Sequence, residues 1–259
     1  ERAMTRAVVA EDEALLREDL IARLADAWPE LEIVAVCEDG GSALEAIGES
    51  KPEVAFLDIR MPGLTGLEVA AAAQEASPAT QIVFVTAYNQ YAIEAFDRGA
   101  IDYLLKPLSP DRLAATVKRV RQRIEAGTVD TSALAQALES LRAKLPAAPR
   151  AEPIAWITAG VGRETRLILL DDVAYFRADA KYTVVVTKEG EAVIRKPIRD
   201  LLEVLDPAVF RQVHRSTVVN MRAVAGVTRD EAGRGTLRLK GRPETLPVSL
   251  TFMALFKSL

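Results

Sequence analysis

Residues 54–66, VAFLDIRMPGLTG, place a short apolar run of β type, 54–57, immediately before a single aspartate, Asp58. The same arrangement recurs on both sides of it. Apolar runs at 7–10, 33–36, 82–85 and 103–105 alternate with longer segments whose apolar residues return at helical spacing. Examples are Leu15, Leu16, Ile21 and Leu24, and later Val117, Val120 and Ile124. Strand and helix alternating five times imply an α/β doubly wound, five-stranded parallel sheet with helices on both faces. Ligands of such sheets sit at the carboxyl ends of the strands, so the residues that follow each run are the informative ones.

Those residues are polar. The first strand leads into Glu11, Asp12 and Glu13, the third into Asp58, the fourth into Thr86 and the fifth into Lys106 and Pro107. Carboxylates held together repel, and a hard octahedral cation such as Mg²⁺ is the usual remedy; Glu11, Asp12 and Asp58 fit that role. An aspartate beside a metal, an ammonium and a hydroxyl is also equipment for phosphoryl transfer. The carboxylate attacks phosphorus, while Lys106 and Thr86 stabilise the phosphoryl oxygens.

Composition narrows the class. The chain has 259 residues, 49% of them apolar, with one His and one Cys, a profile of about two globular domains. No apolar stretch approaches the roughly 18 residues that cross a bilayer, and the N-terminus lacks the apolar core of a secretory signal. Cys37 has no thiol to pair with, so a reducing cytoplasm is the expected location and a membrane is not an expected partner. Met4 is expected as the native start. Residues 1–126 carry 13 basic and 22 acidic side chains, whereas residues 151–259 carry 17 and 13. A basic second half points to a polyanionic partner there.

Residues 127–150 change character. Gly127 ends the helix of 111–126, residues 130–132 offer caps for a new one, and Leu134, Leu138, Leu141 and Leu145 give it an apolar stripe before Pro146, Pro149 and Pro153. That stripe can pack on its own domain or pair with a second copy. From residue 154 onward short β-type runs follow closely at 156–158, 167–170, 173–176, 183–187, 193–195, 224–227 and 237–239, punctuated by glycines. Helical segments are expected only at 198–205 and 249–259, the latter capped by Ser249. The predicted domains are therefore 4–126, a linker with a helix at 127–152, and a mainly β domain at 153–259.

The acidic residues after strand one, DIRMPGLTG around Asp58, VTA at Thr86 and DYLLKPL around Lys106 together resemble the receiver domain of two-component response regulators. The resemblance implies that Asp58 accepts phosphate from a sensor histidine kinase. It implies that Glu11, Asp12, Asp58 and the Arg60 main-chain carbonyl bind Mg²⁺, with Glu11 standing where the family often has Asp. It further implies that Thr86 and Tyr103 form a switch, and that the surface of 91–99, strand five and 111–123 pairs with a second receiver to give a homodimer. The receiver would act catalytically only on its own phosphorylation and dephosphorylation.

The second half resembles the LytTR DNA-binding domain through DDVAYFRADAKYTVVVT at 171–187, FRQVHRSTVVNMRAV at 210–224 and LPVSLTF at 246–252. The resemblance implies double-stranded DNA as partner, with Lys181, Tyr182, His214 and Arg215 approaching it. Arg215 is the first candidate for a bidentate contact to guanine. Other basic residues near expected loops are Arg177, Arg195, Lys196, Arg199, Arg211 and Arg222. After LPVS the family usually has a basic residue, whereas this chain has Leu250 and Thr251, so the third DNA contact is expected to be weaker or to come from another residue such as Lys257. The expected function is a phosphorylation-controlled transcription regulator. The alternative is a phosphorylation-dependent adaptor whose β domain binds protein. A phosphohydrolase is disfavoured, because Ile59 and Arg60 follow Asp58 and no second carboxylate lies two residues on as general acid.

Overall fold

The apolar runs of the first half form five parallel strands: β1 (Thr5–Ala10), β2 (Leu31–Cys37), β3 (Val54–Asp58), β4 (Gln81–Thr86) and β5 (Asp102–Leu105). They pair in the order β2-β1-β3-β4-β5. Both β3 and β4 are buried along their whole length, the reason these runs read as continuous rather than alternating. This computed structural model describes residues 4–87, 102–127, 131–144 and 153–256. The chain divides into two compact units, Glu1–Ala148 and Pro149–Leu259.

Helices α1 (Ala14–Ala27), α2 (Gly40–Ser50), α3 (Gly66–Ala76), α4 (Pro110–Ala126) and α5 (Thr131–Lys144) belong to the first unit. The expected segment at 91–99 lies outside the described residues. One core joins Ala7, Val9, Phe56, Val83 and Leu104 of the sheet to Leu20, Leu24 and Trp28 at α1 and to Leu113, Val117 and Val120 of α4. Each large apolar side chain fully buried there contributes about 1.5–3 kcal/mol. Cys37 is buried at the end of β2, where burial and then the Asp39 charge push its thiol up to about 12.

The start of α3 is tightly specified. Thr65 accepts from Glu68 N and its own N–H donates to the Glu68 carboxylate, a reciprocal cap. Gly66 follows directly, and a Cβ on it would lie 2.1 Å from the Asp58 carbonyl oxygen. For the leucine stripe, Leu134, Leu138 and Leu141 are buried together with Ala137, and α5 packs against α3 of the same unit, whereas Leu145 lies outside the described residues.

The second unit is β-rich. A seven-stranded antiparallel sheet has the order β11-β12-β8-β9-β10-β6-β7, and β13, β14 and β15 form a second sheet. Their ranges are β6 Trp156–Val161, β7 Glu164–Leu169, β8 Val173–Asp179, β9 Tyr182–Thr187, β10 Gly190–Ile194, β11 Phe210–His214 and β12 Thr217–Asn220. The smaller sheet comprises β13 Val224–Arg229, β14 Gly235–Leu239 and β15 Thr245–Val248. Helix α6 (Ile198–Val204) covers a core of Phe176, Val185, Leu201, Phe210 and Val218. Strands β11, β12 and β15 escape a reading based on apolar runs. They are four or five residues long, Arg211 and Gln212 interrupt the first, and Pro247 sits in the third, tolerated because β15 is an edge. The closing helix is shorter than its pattern predicts: α7 spans Leu250–Met253, capped by Ser249 and followed by a 3₁₀ turn over Ala254–Phe256.

The smaller sheet is tied down at one end. Lys240 N donates to Ala223 O at 2.8 Å, Lys240 Nζ to Arg222 O at 2.9 Å and Arg242 Nη1 to Thr187 O at 2.8 Å. Asn220 joins the same end by donating to Val173 O and accepting from Arg222 N.

Gly66→Ala is expected to destabilise the first unit by about 1–3 kcal/mol, because backbone rather than a mobile side chain occupies the space. A lower urea midpoint with an unchanged slope checks this.

Candidate functional site

The strand order 2-1-3-4-5 reverses direction between β1 and β3, so the loops after these two strands diverge and leave a crevice at their carboxyl ends. Glu11 and Asp12 enter it from β1, Asp58 from β3 and Lys106 from β5. Lys106 Nζ lies 2.7 Å from Glu11 Oε2 and 2.9 Å from Asp58 Oδ2. Glu11 and Asp58 are buried, and Asp12 is half-buried. Thr86, at the end of β4, is buried, and its carbonyl accepts from Lys106 N at 2.8 Å. Arg60 follows Asp58 and donates its N–H to Asp58 Oδ1 at 3.2 Å. The Lys106–Pro107 bond is cis.

One ammonium thus contacts two of the three clustered carboxylates. Burial first, and repulsion from Asp58 after the opposing hydrogen bond from Lys106, push Glu11 up to about 6. Burial and then Asp58 also raise Asp12. Burial works against the Lys106 charge, but the hydrogen bond to Glu11 and the attraction of Asp58 hold its ammonium above the usual range. Ligand oxygens of Glu11, Asp12 and Asp58 lie within 4.8 Å of one another. Buried, mutually repelling oxygen donors suit a hard divalent cation.

Sequence reasoning missed Arg17. Its Nη1 donates to the Glu11 and Asp12 carbonyls at 2.7 and 3.3 Å, and its Nη2 to Glu38 at 2.9 Å, fixing the acidic loop from below. The available signal was a cation in the first turn of α1, where the helix dipole disfavours it without partners. Tyr103 lies on β5 opposite Phe84, half-buried, with the Arg112 guanidinium 4.5 Å above its ring. The buried carboxylate of Asp102 beside it receives Arg119 at 2.8 Å and lies 3.3 Å from Arg123, which pins α4 on β5.

The second unit gathers the other predicted residues at two tight turns. Asp179 pairs with Tyr182, leaving Ala180 and Lys181 as a two-residue turn with Ala180 at φ 42. His214 pairs with Thr217, leaving Arg215 and Ser216 as another. The turns are neighbours, since β12 pairs with β8 and Ala178 N donates to Ser216 O at 2.8 Å. A bulge between Gln212 and His214 re-aims the end of β11. His214 Nδ1 accepts from Ser216 N at 3.3 Å and lies 2.8 Å from Ser216 Oγ, so the imidazole braces its own turn. Lys181, Tyr182 and Arg215 are exposed and His214 is half-exposed. Strand pairing places Arg177, Arg195 and Lys196 at this end as well. Arg222 does not belong there. It lies at the tied end of the smaller sheet, paired with Asp171 at 2.8 Å, while Arg199 is bonded to Asp200. Lys257 is outside the described residues.

Residues 7–118 match the response regulator receiver domain and residues 163–259 the LytTr DNA-binding domain. An uncharacterized response regulatory protein of Vibrio cholerae is 40% identical over 255 residues, 97% of each chain. The chain is a response regulator of the LytTR family. The positive alginate biosynthesis regulatory protein of Pseudomonas aeruginosa is 34% identical over 90% of each chain. The receiver domain of AraT, a response regulator from Geobacillus stearothermophilus, is 32% identical over 48% of this chain and 97% of its own, with a TM-score of 0.43. This response regulator therefore has the two parts of a two-component transcription regulator, a receiver and a DNA-binding output. Among the described residues no helix is long and apolar enough to cross a membrane.

Because Glu11 is pushed up to about 6, a proton competes with a divalent cation as pH falls through that value. Calorimetric titration with Mg²⁺ is expected to give an affinity about fourfold weaker at pH 5.5 than at pH 7.5 from this group alone. Glu11→Gln should bind more weakly and lose that part of the pH dependence.

Proposed function

We propose that Asp58 accepts a phosphoryl group from a histidine kinase and that this drives dimerisation and sequence-specific DNA binding. The observation that carries the reading is the pair of contacts from one Lys106 ammonium to Glu11 and Asp58 at the mouth of the crevice. An Asp58 oxygen attacks phosphorus as the P–N bond of the phosphohistidine breaks, and the departing imidazole keeps the bonding pair and takes a proton. Glu11, Asp12, Asp58 and the Arg60 carbonyl would hold Mg²⁺, which offsets charge on the phosphoryl oxygens. Lys106 leaves its carboxylate partners for the incoming oxygens, and the Thr86 hydroxyl turns toward them.

A phosphoryl group adds about two negative charges and three acceptor oxygens, enough to redraw such a network. Movement of Thr86 frees space for Tyr103, which must then leave the Arg112 guanidinium that lies over it. The changed β5–α4 face would pair with that of a second receiver. Two DNA-binding domains then meet repeated half-sites through Lys181, Tyr182, His214 and Arg215, with Arg215 on a guanine edge. The receiver would also assist hydrolysis of its own acyl phosphate. All of this chemistry suits the cytoplasm.

The test is selection from a pool of random duplex DNA by the full chain, with and without acetyl phosphate and Mg²⁺, at two salt concentrations. A repeated motif should be enriched, and more strongly with the phosphoryl donor. Asp58→Ala should abolish the donor effect and the donor-dependent dimer seen by light scattering. Arg215→Ala should relax the preference at one base pair by about 1–3 kcal/mol. Phosphorylation without any enriched sequence would leave the receiver chemistry standing and remove the DNA reading, and salt-insensitive capture of a protein would then favour the adaptor alternative.

A further inference from the structure

Leu250 stands apart from the helix it begins. The next three residues of α7, Thr251, Phe252 and Met253, are buried, whereas Leu250 is 52% exposed. Its backbone has little freedom. The Ser249 hydroxyl accepts from Phe252 N at 3.4 Å and lies 2.9 Å from Thr251 Oγ1. Met253 occupies the space beside Gly235, where a Cβ would come within 2.1 Å of its sulfur. One side of Leu250 rests on the β13–β14 turn at Gly233, which has φ +83 and where a Cβ would lie 2.8 Å from Leu250 Cδ1. The result is a braced apolar tip, held on one side and open on the other.

Its direction follows from the sheet. The smaller sheet is tied at Lys240 and Arg242 to residues 222–223 and to Thr187. Strand β14 runs into that tied end, and β15 runs away from it, since Gly235 pairs with Val248 and Arg238 with Thr245. Leu250 therefore emerges at the opposite end. Both β15 and α7 pack against β11, the strand that delivers His214 and Arg215.

We propose that Leu250 is a specificity residue that packs against the C5-methyl group of a thymine in the major groove. The thymine methyl is the one apolar group that base edges present there. An exposed leucine, held on a helix that packs against the strand delivering His214 and Arg215, matches it. The missing basic residue after LPVS is then a change of base preference rather than a lost contact. This rests on the DNA-binding reading above, and it adds the base that this position reads.

The experiment starts from the motif that the full chain enriches from random duplex DNA. Each thymine of that motif is replaced in turn by deoxyuridine, which removes the methyl and keeps every hydrogen-bonding group. At one position the replacement should weaken binding about fourfold, the weight of one methyl group. Leu250→Ala should bind the thymine site more weakly and show no response to uridine at that position. Leu250→Arg, selected afresh from the random pool, should shift the preference at that base pair from thymine toward guanine. The circular dichroism spectrum of both variants should match that of the parent and the melting temperature should fall by at most a few degrees, since about half of the side chain is exposed. Equal uridine responses from the parent and Leu250→Ala at every thymine would overturn the inference while leaving DNA binding intact. Absence of any enriched motif would overturn both readings together.

Discussion

A single half-buried ammonium organises the receiver. Lys106 lies within ion-pair distance of both Glu11 and Asp58, and without it the carboxyl ends of β1 and β3 would carry uncompensated like charges into one largely buried crevice. Removing one partner of such a cluster strands the others, so the site is sensitive to any change of charge within it. Its position depends on the sheet. Only parallel strands deliver their last residues to the same edge, and only the reversal of strand order between β1 and β3 opens a crevice there. The caps and close packing behind the site, with Thr65 on Glu68 and Gly66 against the Asp58 carbonyl, hold the aspartate's backbone still while its side chain remains reachable.

The output domain solves a different problem with the same economy. Antiparallel strands return to one end repeatedly, so two turns of two residues each place Lys181 and Arg215 side by side without a recognition helix. Bracing comes from residues that do not reach outward, with His214 bonded back to Ser216 and Asn220 filling its amide on Val173 and Arg222. His214 thus has a demonstrable structural task in addition to the contact proposed for it.

Much of this was legible in the amino-acid order, and the reasons are physical. Strands β3 and β4, buried along their whole length, must be almost wholly apolar, and β1, β2 and β5 carry shorter apolar runs that still announce them, so Asp58, Thr86 and Lys106 stood out as the polar residues at the strand ends. What stayed hidden depends on partners distant in sequence. Nothing in the leucine stripe of α5 says whether α3 or a second copy receives it, because the answer lies in the alanine-rich surface of α3. Arg17, Arg112 and Arg119 read as ordinary solvated charges until the backbone carbonyls, ring and carboxylate they meet are known. Strands β11, β12 and β15 are too short and too polar or proline-broken to declare themselves, and tertiary pairing makes them strands.

The environment of Cys37 carries a consequence for how the protein meets oxidants. Burial and then the Asp39 charge push the thiol up to about 12, so it stays protonated at neutral pH, and only the thiolate reacts readily with peroxides and disulfides. The chain has no second cysteine to form a bridge. The buried thiol is therefore a poor target for oxidants, and a cysteine introduced on an exposed turn would be far more reactive than Cys37 and suited to a site-specific spectroscopic label.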